Sequence, residues 1–279
     1  MGGDGQAMTV SVVIPTWNRA ATLEAAVRSA LAQNVPPLEV LVCDDGSTDG
    51  SEGVVRAISE PRVRWVPGRR GGRPAIPRNR GIREARGDWV AFLDSDDEWL
   101  PEKLRKQLSQ AAGSGCRAAC SNARRRVPGA ATAGLLLADL PDRVTFDDLL
   151  QVNHVVCSSV IAEKSIVLRA SGFPESPELK AIEDYALWLR IATITDFTYS
   201  REPLLWYNDD PAASLRRDDP DVRVQRSRVL ADFRSWVEGG GAPASFLAKA
   251  SQSLADREEK SILARFAAFA RRSACRMRP

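Results

Sequence analysis

Val10 to Pro15 is a short, nearly continuous apolar run rich in β-branched residues, the pattern of a strand buried on both faces. Leu23, Ala26, Val27, Ala30 and Leu31 then repeat at helical spacing, and Pro36-Pro37 forbids continuation. A second apolar run, Leu38 to Cys43, completes a βαβ unit with an expected right-handed crossover. The alternation continues: a helix to about Ile58, a strand at Val63 to Val66, a helix from Ile76 to Arg86 ended by Gly87, and a buried strand from Trp89 to Leu93. Pro101 opens a polar helix at a position where its missing N–H costs nothing. Further on the pattern is less regular, with strands expected over Cys116–Asn122 and Cys157–Ile161, a loop over Pro128–Gly134 and a helix over Ile182–Ala192. Beyond Pro220 two helical tracts flank Gly239-Gly240-Gly241. The sum is an α/β chain with a mainly parallel sheet and a helical C-terminal extension.

In such a sheet, ligands bind outside the carboxyl ends of the strands. Three predicted strand ends carry polar residues: Pro15-Thr16-Trp17-Asn18, Asp44-Asp45, and Asp94-Ser95-Asp96-Asp97. Brought together they make a carboxylate-rich pocket. Each Asp has a plainer role open to it as a turn or helix N-cap residue, and for Asp49 the cap is favoured. Asp94 and Asp96, one residue apart at a strand tip, point the same way and suit a divalent ion. Carboxylates are hard ligands fit for Mg²⁺ or Mn²⁺ held together with phosphate. The single His argues against a His-based metal site or a His-driven serine triad. Arg69, Arg70 and Arg73 lie in a basic, Gly-containing loop that can reach phosphate or base, or simply be solvated.

Composition narrows the picture little. With 279 residues and 44% hydrophobic content the chain can bury one large domain and an appendage. A net charge of +3 gives no ground for nucleic-acid binding. Five Cys at scattered positions fit a reducing compartment, with Cys43 a small hydrophobe and Cys116/Cys120 an unlikely zinc pair for want of further ligands. No signal peptide is evident, and no apolar run approaches the roughly 18 residues of a membrane span, so a cytoplasmic location is expected.

The ordered segments Val10 to Arg19, Val42 to Asp49 and Phe92 to Asp97 resemble the signature of family 2 glycosyltransferases of the GT-A fold, a Rossmann-like mixed sheet flanked by helices. The resemblance covers roughly residues 8 to 210. It divides the chain into a flexible N-terminus (1–8), a GT-A domain (9–215) with a nucleotide-binding half (9–98) and an acceptor half (99–215), and the extension (216–279). It implies nucleotide contacts from Pro15, Thr16, Asn18, Asp45, Arg73 and Asp94, and a metal ligand in Asp96. Ile182 to Arg190 resembles the family's Glu-Asp-x-x-Leu-Trp segment, which makes Asp184 the catalytic base and sets Glu183 and Trp188 on the acceptor side. Asn153 and Ser158-Ser159-Val160 fit the pattern before the acceptor region. One departure is the missing His near residue 210: Trp206 to Pro211 offers only Asp209 and Asp210 as further metal or diphosphate contacts, and the third metal ligand stays open.

The implied activity is an inverting transfer, dependent on Mn²⁺ or Mg²⁺, from a nucleotide-diphosphate sugar, UDP by family habit, to a carbohydrate or lipid-linked hydroxyl in glycoconjugate synthesis. The alternatives are a non-catalytic nucleotide-sugar-binding module of a larger assembly, against which Asp45, Asp96 and Asp184 stand, and a nucleotidyltransferase, which wants a Gly-rich basic loop after the first strand. In the C-terminal tract, Leu254, Ile262, Leu263, Phe266 and Phe269 fall roughly on helical spacing. That pattern serves core packing or a homodimer contact, or a peripheral helix at the inner face of a membrane.

Overall fold

A computed structural model describes residues 8–127, 134–137, 141–210 and 221–248. In chain order the elements are β1 (Val10–Thr16), α1 (Leu23–Leu31), β2 (Glu39–Asp44), α2 (Ser51–Ala57), β3 (Val63–Val66), α3 (Ala75–Glu84), β4 (Trp89–Phe92), β5 (Glu98–Trp99), α4 (Lys103–Ser114), β6 (Ala118–Arg126), β7 (Arg143–Val144), α5 (Phe146–Gln151), β8 (Ile161–Glu163), α6 (Lys164–Arg169), α7 (Glu183–Ala192), β9 (Phe197–Asn208) and α8 (Val222–Glu238). Among the described residues the strands form one sheet in the order β3-β2-β1-β4-β8-β6-β9-β5, with β7 also on β9. The first four strands are mutually parallel, and β8 runs against both β4 and β6.

The unbroken apolar runs are explained by cover on both faces. Along β1, Val12 and Ile14 join Leu23, Val27, Leu104 and Leu108 in a core on one side of the sheet. Val13 joins Leu41, Phe92, Ile82 and Trp188 on the other. Register aligns Pro15 with Cys43 and Thr16 with Asp44, and Val13 with Phe92, so the tips of β1, β2 and β4 share one edge.

The mixed half departs more from expectation. The strand expected over 116–122 starts two residues later and runs on to Arg126. Residues Cys157–Ser159 form a single 3₁₀ turn, and the strand begins only at Ile161. The twelve-residue β9 has no clear sequence signal, because Arg201, Glu202 and Pro203 interrupt its alternation. Its pairing with β6 accordingly shifts register around Asn122.

All ten residues of α7 are buried. Trp188 is therefore a correction to the expected acceptor-side role. It is fully buried, with ring centroids of Phe92, Phe173 and Phe197 at 5.9, 5.8 and 5.9 Å. The same core takes in Val229, Phe233 and Trp236 of α8, which Arg190 ties to α7 through Asp232 at 2.7 Å. Phe246, at the start of the C-terminal tract, packs on Phe146 with ring centroids 4.9 Å apart. The rest of that tract, Leu254 to Phe269, lies outside the described residues, as do most of the expected 128–134 loop and the N-terminal segment through residue 7. No helix among the described residues is long and apolar enough to cross a membrane.

Candidate active site

A cleft of about 290 Å³ opens along the carboxyl edge of the sheet. It is lined from the β1 tip by Pro15, Thr16, Trp17 and Arg19, and from the β2 tip by Asp45. The two aspartates after β2 do different work. Asp44 accepts backbone N–H groups from Gly46 and Ser47, both at 3.0 Å, and shapes the turn. Asp45 accepts N–H from Gly71 and Gly72 at 2.8 Å and pairs with Arg70, so the basic loop docks on it. Arg73 lines the cleft with its Nε buried and without a hydrogen-bond partner. Thr16 Oγ1 is in the same condition. Arg69 is exposed and takes no part in the cleft wall.

Asn18 is exposed at the β1 tip, between the cleft residues Trp17 and Arg19. It adopts φ 52°, its Oδ1 accepts N–H from Thr48 at 2.8 Å, and its own N–H goes to Ser47 Oγ at 2.9 Å. Its side chain ties two loops together and is not part of the cleft wall. Asp49 serves local structure as a turn residue, one position before Gly50, which takes the α2 cap position without a side-chain cap. Asp49 accepts from Ser51 N at 2.9 Å at the start of α2 and from Ala20 N at 3.1 Å.

Beyond β4 the three carboxylates take distinct partners. Asp94 meets Arg78 at 2.6 Å, and Asp96 meets Arg19 at 3.3 Å. Asp97 is buried and accepts from Ser158 Oγ at 2.5 Å and Asn208 N at 2.8 Å, which closes the β4 tip onto β9. Burial and the Asp94 charge push the Asp96 carboxyl up, against Arg19. Burial, with Asp94 and Asp96, pushes Asp97 further still. The group carries more negative charge than its arginines offset.

Across the cleft stands the first turn of α7. Asp184 is 7% exposed, lines the cleft and accepts N–H from Tyr185 at 2.8 Å. Neighbouring Glu183 also reaches the wall, but its Oε1 is held by Arg78 at 2.5 Å, and burial raises its pKa against the Arg78 charge. Glu183 thus holds an internal ion pair through Oε1, while its buried Oε2 has no hydrogen-bond partner. Asp209 and Asp210 line the far rim, where Asp209 accepts from Arg125 Nε at 2.8 Å.

The sequence gives no forewarning of Arg78 as the bridge between Asp94 and Glu183. Its one trace is an arginine on the same α3 face as buried Ala75 and Ile82. Lys180, Cys157 and Tyr207 also line the cleft without having been singled out. Trp17 belongs to the strand-tip motif, and its indole forms part of the wall.

The fold is shared with solved structures. That of S. aureus TarS 1–349 in complex with UDP superposes with a TM-score of 0.62 at 21% identity, covering 82% of this chain and 72% of that one. This is the GT-A fold, a mixed sheet flanked by helices. Sequence relatives include the Escherichia coli UDP-Glc:alpha-D-GlcNAc-diphosphoundecaprenol beta-1,3-glucosyltransferase WfgD, 31% identical over 65% of this chain and 69% of that protein. The teichuronic acid biosynthesis glycosyltransferase TuaG of Bacillus subtilis, itself assigned only provisionally, is 29% identical over 65% and 71%. The succinoglycan biosynthesis protein ExoO of Rhizobium meliloti is 42% identical over 40% of this chain, which spans only 32% of that protein. Residues 11–159, more than half the chain, match the profile of glycosyl transferase family 2, and the chain belongs to that family of glycosyltransferases.

Proposed function

We propose that this enzyme transfers a sugar from a nucleotide-diphosphate donor, most simply a UDP-sugar, to a hydroxyl of a carbohydrate or lipid-linked acceptor. The place of action would be the cytoplasmic side of a membrane, in the assembly of a cell-surface polysaccharide. The observation that carries this reading is one cleft in which the β1, β2 and β4 tips face Asp184 across an open space. Thr16 Oγ1 and Arg73 Nε, buried polar atoms without a protein partner, are groups that a bound nucleotide would satisfy. The names of the relatives agree: TarS was crystallised with UDP, and WfgD is named for UDP-Glc and a diphosphoundecaprenol acceptor.

Asp94 and Asp96 fit a divalent ion. They are hard oxygen donors two residues apart, just past the end of β4, and both line the cleft. Two carboxylates completed by substrate phosphates is the arrangement Mg²⁺ commonly takes. When bound, such an ion supplies Lewis-acid neutralisation of the leaving diphosphate. The chain's own part in the chemistry falls to Asp184. Its carboxylate takes the proton of the acceptor hydroxyl as that oxygen forms its bond to the anomeric carbon, and the bond from that carbon to the diphosphate oxygen breaks, inverting the centre.

Thermal-shift screening of nucleotide sugars with Mn²⁺, followed by assay of nucleotide release with carbohydrate and lipid-linked acceptors, tests the proposal. A rise in melting temperature with one donor and acceptor-dependent release of UDP is the expected result. A donor that binds and is never turned over would favour the non-catalytic module. No stabilisation by any nucleotide sugar would remove the donor assignment.

A further inference from the structure

Asp45 is a wall residue of the cleft, yet it is only 2% exposed. What covers it is the loop after β3. Gly71 and Gly72 donate their backbone N–H groups to its two oxygens, and Arg70 Nη1 bonds Oδ2. The same guanidinium lies over the indole of Trp17, 3.7 Å from the ring centroid. A flat, delocalised group with an N–H edge on a carboxylate and a face on an aromatic ring is also what a nucleobase presents. Arg70 therefore already makes both contacts that a base seated between Trp17 and Asp45 would make.

The loop backbone is pinned beneath this side chain. A Cβ on Gly46 would lie 2.7 Å from Arg70 N, and one on Gly71 would lie 2.4 Å from Ile76 Cδ1. Gly46 itself takes φ 78°, a conformation that L side chains rarely adopt. The Arg70 side chain, by contrast, is 42% exposed, whereas that of Asp45 is 3% exposed and keeps the Gly71 and Gly72 N–H groups when the guanidinium turns to water. Access to Asp45 thus requires one side chain to swing and no loop to open.

We propose that Arg70 is an internal ligand of the base subsite that sets donor affinity, so that donor binding is an exchange in which a base N–H replaces the guanidinium on Asp45 and the ring replaces it on Trp17. The proposal rests on the reading of Asp45 as the base contact. An internal competitor lowers the affinity of every ligand that must displace it by the same factor, the fraction of molecules in which the site is open. A ligand that does not enter the base subsite escapes that factor.

Calorimetric titration of the full chain with UDP and with pyrophosphate, each with Mn²⁺, reads this out. Arg70→Ala is expected to tighten UDP at least three-fold while pyrophosphate stays within two-fold. Arg70→Gln, whose planar amide can still bond Asp45, falls between. In the Arg70→Ala background, Asp45→Ala should then weaken UDP at least ten-fold. Unchanged or weaker UDP binding in Arg70→Ala would overturn the exchange, the weaker case making Arg70 a direct nucleotide contact. If Asp45→Ala changes nothing once Arg70 is gone, the base does not sit on Asp45, and the underlying reading fails with the exchange.

Discussion

The two sides of the cleft, donor and acceptor sides under the function proposed above, are supplied differently. On the donor side each functional group stands where a parallel strand stops: Thr16 at the end of β1, Asp45 one residue past β2, Asp94 two residues past β4. Strand register alone brings these tips together, and the loops between are short. On the acceptor side the key carboxylate belongs to no strand. Asp184 is aimed by a helix whose every residue is buried, and its neighbours Glu183 and Trp188 are taken up by an arginine and by an aromatic core. One side is placed by local sequence, the other by packing against residues nearly a hundred positions away.

If that contrast holds, substitutions on the two sides should separate binding from turnover. Asp184→Asn keeps the size of the side chain and removes the proton acceptor. Turnover is expected to fall by about 10² to 10⁴, the usual range for a general base, with UDP-sugar affinity within a few-fold. Single-turnover kinetics beside calorimetry would measure both. Near-normal transfer, or donor binding lost in parallel, would take the base role from Asp184. Glu183 would then be the next candidate, through the Oε2 that Arg78 leaves without a partner.

Trp188→Ala addresses packing. Removing a fully buried indole from contact with three aromatic rings should cost about 3 to 5 kcal/mol of stability. Denaturant titration at constant m-value would show it. A residue at the acceptor surface would instead cost little stability and raise the acceptor KM.

These outcomes bear on what was legible in the chain. The starts of β1 and β4 coincide with their apolar runs, because burial on both faces leaves a continuous signal, while the half-buried edge strand β3 keeps its expected bounds through Val63, Trp65 and Val66. The tip chemistry follows from the rule that ligands sit at carboxyl ends. The acceptor half was legible only in fragments. β9 carries Pro203 and two charges within its span, and the 157–161 apolar stretch folds as a turn because Ser158 is drawn to Asp97. The place of Trp188 in a motif points to the site, and a helix's buried face cannot be told from a motif. Arg78 could not be foreseen at all. Its two carboxylate partners come from distant segments that meet only in the folded chain.

At the seam between the halves, Lys103 of α4 is fully buried, with Gln107 Oε1 at 2.7 Å and the Trp99 ring at 4.1 Å. Burial pulls its pKa well below the ordinary 10.5. As pH falls through 10.5 the unfolded chain takes up a proton that the folded chain resists. Stability from this group therefore rises with pH, by at most about 1.4 kcal/mol per unit. The effect vanishes above 10.5, where both states are neutral. Lys103→Met should flatten the pH dependence of unfolding free energy between pH 7 and 10 relative to the parent. Parallel slopes would mean that the ammonium keeps its charge in the fold.

The smallest effect tests the donor-side rule at its finest grain, by comparing adjacent positions of one tip. Thr16 faces the cleft with an unpartnered hydroxyl, while Asn18, two residues on, spends its amide on Thr48 N and holds a left-handed backbone. Asn tolerates that conformation better than most residues, and Ala does not. Asn18→Ala therefore combines a lost hydrogen bond, worth about 1 kcal/mol, with a backbone penalty of similar size. Melting should fall accordingly while UDP affinity stays within about two-fold, since the β1 tip remains anchored by its register with β2. Thr16→Val, nearly isosteric, should show the reverse: stability little changed, because the hydroxyl has no protein partner to lose, and UDP binding measurably weaker. If Asn18→Ala weakens UDP more than Thr16→Val does, the nucleotide reaches beyond the strand tip into the following loop, and the motif rather than the strand end marks the site.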